Sequence, residues 1–288
     1  MSYPSNNNTD INSELFANFV ADAEMAAYEQ SVSRGICRLF QVPFNAGKVV
    51  QVPVWAAITA ELITDESAAT AKTTNTTAPT ITLKEHVVYN QITDMLRDSA
   101  YGDVMAQLAE QSGMAIGESL DKMVFGEFEN FSSDLGTTTT EITTNLILNA
   151  ATVLRARKLV GPLFCVLHPN QAYNVKKQLT YVAQTNIPAL SMIGESALSN
   201  YYLGTVGGCA IFESPLVEAV TTGGATAYRA GVFAASALGI AERGGLDLNT
   251  LYLPAARATD MVLKAVAGAA VIQSTHGVAI TADGLTSN

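Results

Sequence analysis

Charge is what this sequence has least of. Asp, Glu, Lys and Arg make up 15 % of 288 residues, where a soluble domain typically carries about 25 %. With hydrophobic residues at an ordinary 48 %, the surface must be covered largely by Ala, Thr, Ser and Gly. Such a surface protects poorly against association, which predicts that other chains cover much of it. The length allows one large domain or two ordinary ones, with a sizeable core either way.

Basic residues are scarce and scattered within a net charge of −10. Phosphate neutralisation needs clustered Lys and Arg, so broad nucleic-acid binding is disfavoured. The densest group, Arg155, Arg157 and Lys158, falls at the end of an expected helix, where cations offset the C-terminal dipole.

Cysteine is limited to Cys37, Cys165 and Cys209, far apart and with no C-x-x-C. That excludes a disulfide framework and a zinc site of the usual spacing. Cys165 in LFCVL and Cys209 in GGCAIF read as small buried hydrophobes. The longest apolar run, AGVFAASALGIA, has 12 residues, against about 20 for a bilayer span. The N-terminus MSYPSNNNTDINSELF lacks the basic and apolar regions of a secretory signal. The expectation is a soluble protein, assembled in a reducing compartment, with no membrane partner.

Chemistry-bearing constellations are equally sparse. His86, His168 and His276 each lack a second ligand at short spacing, so no metal is expected. Cys165 and His168 lie three apart on one expected strand, point to opposite faces and cannot form a local thiolate–imidazole pair. Gly194 to Leu198 (GESAL) fails G-x-S-x-G at its last position. NAGKVV (Asn45 to Val50) lacks the leading glycine and closing Ser or Thr of a phosphate loop. GTVGG (Gly204 to Gly208) runs into a strand where a dinucleotide loop would open a helix. The acids Asp65 with Glu66 and Glu127 with Glu129 sit at solvated positions. No catalytic site and no cofactor are expected.

The pattern of elements is more informative. A polar, asparagine-rich start to about Thr9 reads as disordered. Leu15, Phe16, Phe19, Val20, Ala23 and Ala27 then recur at helical spacing behind a cap at Asn12 or Ser13, an amphipathic arm with no sequence neighbour to pack on. Lys48 to Ile63 begins with alternation at Val50, Val52 and Val54; Thr80 to Thr93 resumes it at Ile81, Leu83, Val87 and Tyr89. Limbs of that length reach on the order of 40–50 Å, too far for a ribbon that stays on its own domain, and a lone two-stranded ribbon is marginal in water. Between them Thr64 to Leu83 is polar and threonine-rich, with Pro79 as a brake on wrong edge pairing.

Tyr101 to Phe131 has helical spacing, with Asp103 in its first turn; about 28 residues make a rod of roughly 42 Å. Gly113, Gly117 and Gly126 each cost that helix about 1 kcal/mol, which hints at close backbone packing or a bend. A second helix over about Asn145 to Lys158 stops at Gly161 and Pro162. Beyond it a strand at Phe164 to Pro169, a helix, a strand in GTVGGCAIFESP and the closing strands of Thr259 to Ile280 make a mixed α/β region. The fold class is therefore α+β.

This order of elements resembles the major capsid proteins of tailed bacteriophages, whose shared fold is named after bacteriophage Hong Kong 97 and also builds encapsulin shells. Lys48 to Thr93 looks like the extended loop and Tyr101 to Phe131 like the spine helix. CVLHPNQAYNVKKQL and GTVGGCAIFESPLV are similar to axial-domain features, and Thr259 to Ile280 to the final peripheral strands. The resemblance implies an N-terminal arm (1–40), extended β-ribbon (41–98), peripheral domain with the spine helix (99–145), axial domain (146–256) and returning C-terminal strands (257–288).

It further implies a structural protein, not an enzyme. Homo-hexamers and homo-pentamers would form an icosahedral shell in the virion, enclosing DNA without sequence-specific binding and assembled in the host cytoplasm. Intersubunit contacts would fall on Lys48, Val50, Val52, Val54, Trp55, Lys72, Ile81 and Leu83 of the ribbon, and on Leu15, Phe16 and Phe19 of the arm. Some relatives carry a long N-terminal scaffolding segment. Only about 40 residues precede the ribbon here, so the resemblance implies either a separate scaffolding protein or a sequence in processed form; Met1 favours the first, with a portal and a cement protein as further partners. Some relatives cross-link through a loop lysine; Lys72 is the one near this tip, without an identified asparagine partner or catalytic acid. An encapsulin-type compartment is the alternative within the fold. More remote are an α/β enzyme using His168 and Cys165, and a surface adhesin.

Overall fold

The computed structural model describes residues 19–27, 31–63, 68–99, 104–183, 202–222 and 225–283. Asn12, Ser13, Leu15, Phe16, Asp65, Glu66, Asp103 and the stretch Gly194 to Leu198 lie outside them.

Two sheets organise the chain. The first has four strands in the order Arg38–Gln41, Leu238–Leu253, Ala258–Val271 and Lys84–Thr93. Its centre is a long antiparallel hairpin, interrupted between Arg243 and Asp247 by a bulge. Lys84–Thr93 pairs with the hairpin without a register break, from Lys84↔Ala267 to Thr93↔Ala258. Its side chains alternate as a one-sided sheet requires. Ile92 is buried and Asn90 and His86 reach the serines of a covering helix, while Val87 and Tyr89 are more than half exposed.

That covering helix is Val104–Gly126, 23 residues long, or about 35 Å at 1.5 Å per residue. It stops before the expected Phe131 because a 3-10 turn, Glu127–Asn130, redirects the chain. The redirection brings Phe128 and Phe131 to Phe125 and Phe233, with ring centroids 5.5 to 6.1 Å apart, in a core shared by both sheets.

The arm helix, residues 19–27, packs on the long helix of its own chain. Phe19 and Ala23 are buried with Ala109, Ile116 and Leu120. A Cβ at Gly113 would lie 2.2 Å from the Ala23 carbonyl oxygen, and one at Gly117 3.0 Å from that of Ala27. Two glycines and two alanines, each pair four apart, thus let the backbones touch. Nothing lies within 4 Å of such an atom at Gly126. The helix glycines therefore mark close packing at two of three positions, and the arm has a partner that its sequence neighbours did not reveal.

The second sheet runs Asp134–Leu135, Gly277–Asp283, Ala225–Ala234, Leu163–Leu167, Cys209–Glu213, Tyr202–Val206, with Ala219–Thr222 beside Ala225–Ala234. Its core joins Leu163, Cys165, Ile211, Val232 and Ile280 to Ile147 and Leu154 of helix Thr144–Ala156. That helix is capped by Thr143, whose hydroxyl accepts from the Leu146 amide, and by Gln178, whose Oε1 accepts from the Thr144 amide at 2.8 Å. His168 ends a strand and Pro169 opens helix Pro169–Ala183, using proline's fixed φ at the first helical position. GTVGGCAIFESP is a hairpin where a single strand was expected. Gly207 and Gly208, with φ of 60° and 81°, turn Tyr202–Val206 back onto Cys209–Glu213.

Candidate functional site

The ribbon departs from the expected long limbs. Val49–Gln51 pairs with Thr80–Thr82, and Val54–Trp55 with Thr76–Thr77. Pro53 and Pro79 face one another's step between these ladders and remove two donors from it; the Val52 amide still reaches the Pro79 carbonyl at 3.0 Å. Seven residues from Val49 to Trp55 span about 23 Å. Lys84–Thr93, most of the expected limb Thr80 to Thr93, is instead a strand of the four-stranded sheet. The alternation was real, but half of it answers to this chain's own helix.

The expected contact residues divide accordingly. Val52, Ile81 and Leu83 are buried against Val42, Ala241 and Ile272 of the same chain, with Val50 and Val54 packed at the margin. They root the ribbon, so the first three are no longer free for a neighbour. Lys48 is exposed while its carbonyl accepts from the Leu83 amide. Lys72 donates across the ribbon to the Thr59 carbonyl at 2.6 Å. Trp55 stands 69 % exposed. Phe19 lies in the arm helix core, and Leu15 and Phe16 fall outside the described residues.

Beyond Trp55 lies a surface that the sequence reading missed. Residues 56–63, AAITAELI, are exposed throughout, with Ile58 at 68 %, Leu62 at 100 % and Ile63 at 45 %. The segment has no proline or glycine and one charge, a composition that could have flagged it as pairing-prone.

The arm is held by charge as well as packing. Asp121, buried on the long helix, accepts from Ser31 Oγ at 2.7 Å, the Val32 amide at 2.9 Å, the Ser33 amide at 3.2 Å and Ser33 Oγ at 2.5 Å. Arg34 meets the buried Glu242 of the sheet at 2.6 Å, and Glu24 accepts from the Leu246 amide in the bulge at 3.1 Å.

Elsewhere the reactive residue types are occupied structurally. Burial pushes the thiols of Cys165, Cys209 and Cys37 up, with Asp121 adding to the effect at Cys37, so none is poised as a thiolate. Arg157 donates to the Thr275 carbonyl and to Ser132 and Ser133, and Arg155 to the Leu159 carbonyl. The basic cluster thus ties loops together. Among the described residues no group of three His, Cys, Asp or Glu is placed to hold a metal.

His168 stacks on Tyr228 at 3.6 Å, and its Nδ1 accepts from the Asn170 amide. Burial lowers its pKa, and burial does the same, as the leading cause, at His86 and His276. The unfolded chain therefore takes up these protons first. Stability from the three is full above about pH 6.5, the unfolded value, and is lost as pH falls below it. The urea midpoint should drop between pH 7 and 5.5, and His168→Gln should flatten part of that slope; an unchanged slope in the variant would remove His168 from the account.

The model of the phage capsid protein family matches residues 77–280. None of the curated proteins matches the sequence. Among solved structures, the capsid of Ralstonia phage GP4 is 11 % identical and superposes with a TM-score of 0.66, covering 90 % of this chain and 93 % of that one. Mycobacterium phage Che8 gives 18 % identity and 0.63 over 81 % and 84 %. The capsid of cyanophage P-SCSP1u gives 14 % and 0.64 over 86 % and 87 %. A long helix laid across a four-stranded sheet, a projecting ribbon and a second α/β sheet make the Hong Kong 97-type fold, and with a family match over most of its length the chain belongs to the phage capsid protein family.

Proposed function

We propose that this capsid protein builds an icosahedral phage head from homo-hexamers and homo-pentamers, and that its ribbon carries much of the contact. The observation behind this reading is the segment 56–63, eight exposed residues with three large aliphatic side chains, held out beyond a ladder rooted in the chain's own core. Left bare, such a segment invites indiscriminate pairing; covered by the next subunit, it contributes apolar burial of about 25 cal/mol per Å2. The low charge content supports extensive coverage. The acidic balance suits a shell that confines DNA without gripping it. In this reading the protein has no catalytic role, works in the virion after assembly in the host cytoplasm, and cooperates with a separate scaffolding protein, a portal and a cement protein.

Negative-stain microscopy of the expressed protein, alone and with its neighbouring gene products, tests the proposal. Rings of five or six subunits or closed shells are expected. A dispersed monomer at high concentration would sink it. Replacing residues 56–63 with a Gly/Ser sequence should leave the melting temperature within about 2 °C, since exposed positions contribute little to the fold, while abolishing closed shells.

A further inference from the structure

We infer that residues 56–63 of one copy add as a strand to the outer edge of Lys84–Thr93 in a second copy. This rests on the ribbon reaching a neighbour, and gives that contact a place and a backbone geometry.

Two sets of backbone groups lack a partner strand, and in the second only the Ala56 amide and the Thr59 carbonyl, which accepts from Lys72 Nζ, are engaged among the described residues. Among the described residues, Lys84–Thr93 pairs with Ala258–Ala267 on one side and with nothing on the other. Exposed edges are ordinarily blunted by proline, bulges, shortness or charge, and the two charges of this strand, Lys84 and Glu85, stand together at its first two positions. This one has ten residues, no proline and an unbroken register. The other free edge of the sheet, on Leu238–Leu253, is different. Arg38–Gln41 covers part of it, a bulge breaks it, and Glu24 takes the Leu246 amide.

The second set lies in the ribbon. Among the described residues, the one backbone–backbone hydrogen bond of 56–63 runs from the Ala56 amide to Asn75. Its eight residues would extend about 26 Å, against about 33 Å for the ten-residue edge. Isoleucine, leucine and threonine fit a pleated surface, and Val87 and Tyr89 stand exposed on the solvent face of the edge strand to meet them. A chain cannot satisfy itself in this way. Thr80–Thr82 leads directly into Lys84–Thr93, so the paired ladder carries 56–63 away beyond the Lys84 end of that strand. Turning back would break the pairs Val54↔Thr77 and Trp55↔Thr76. The acceptor must be another copy.

Hydrogen exchange of wild-type shells against unassembled subunits reads this without a variant. Amides of 56–63, and those of 84–93 that do not already bond Ala258–Ala267, should slow at least tenfold on assembly. For register, subunits carrying Ala60→Cys or Glu61→Cys, which cover both faces of the segment, are co-assembled with subunits carrying Glu85→Cys, Val87→Cys, Tyr89→Cys or Gln91→Cys and mildly oxidised. A disulfide-linked dimer that needs both populations is expected for at least one pair. Shells in which 84–93 stays unprotected, or in which no pair cross-links, would overturn the strand addition while leaving the capsid reading intact. Absence of wild-type shells would overturn both. Should the cysteine subunits not assemble, the exchange pattern decides alone: protection of 84–93 without 56–63 assigns the edge to another segment and rejects this one.

Discussion

Asp121→Ala should lower unfolding stability by about 3–5 kcal/mol, as much as emptying a buried aromatic position. The carboxylate is 1 % exposed and serves four donors across some ninety residues of sequence. Truncation leaves two backbone amides and two hydroxyls facing a cavity, and each unpaired buried group costs about 1–3 kcal/mol, less where water enters. The Ser33–Ile36 helix also loses its acceptor, because its own preceding residue, Val32, has no side chain that could cap it. Asp121→Asn should fall between, keeping one oxygen but turning an NH2 group toward donors. Urea unfolding with unchanged m-value checks this. A midpoint shift equivalent to under about 1 kcal/mol would show that Asp121 does not hold the arm.

Gly113→Ala should destabilise despite adding a better helix former. Propensity favours alanine by about 1 kcal/mol, but the new methyl would stand 2.2 Å from a carbonyl oxygen and 2.9 Å from its carbon. Backbone cannot swing aside as a side-chain tip does, so the arm helix must retreat by about 1 Å and loosen its contacts, at a net cost of about 1–2 kcal/mol once the propensity gain is subtracted. Gly117→Ala, at 3.0 Å, should cost less. Gly126→Ala, in open space at φ −62°, should stabilise by about 0.5–1 kcal/mol. Melting temperatures in the order Gly126→Ala, wild type, Gly117→Ala, Gly113→Ala check the series; a stabilised Gly113→Ala would mean that the two helices do not touch there.

These two sites differ in how far they could be foreseen. Glycine inside a long amphipathic helix signals closeness from sequence alone, though not the partner. Asp121 gives no such signal: an acid on a helix surface reads as solvated until the chain brings Ser31–Ser33 to it. The element order was legible because helical and strand periods are local. Alternation, however, says that one face of a strand is buried and not in whose core. Val52, Ile81 and Leu83 were therefore read as contacts although this chain buries them itself. Pro53 stood in plain view in QVPVW and bounded the ladder. Gly207–Gly208 likewise marked a turn within what was read as one strand. The exposed run at 56–63 was hidden by the opposite assumption, that an apolar stretch following strand alternation continues the strand.

The pair of prolines that divides the ribbon has a further mechanical meaning. Identical subunits closing a curved surface must meet at more than one dihedral angle, and a rigid arm would fit one kind of vertex and strain every other. The two prolines are staggered, Pro79 opposite Val52 and Pro53 one step further on, so the ladder loses two amide donors about midway between its base in the core and Trp55. On the proposed ribbon contact, identical subunits meeting at different angles would bend at this step, where the fewest hydrogen bonds resist it.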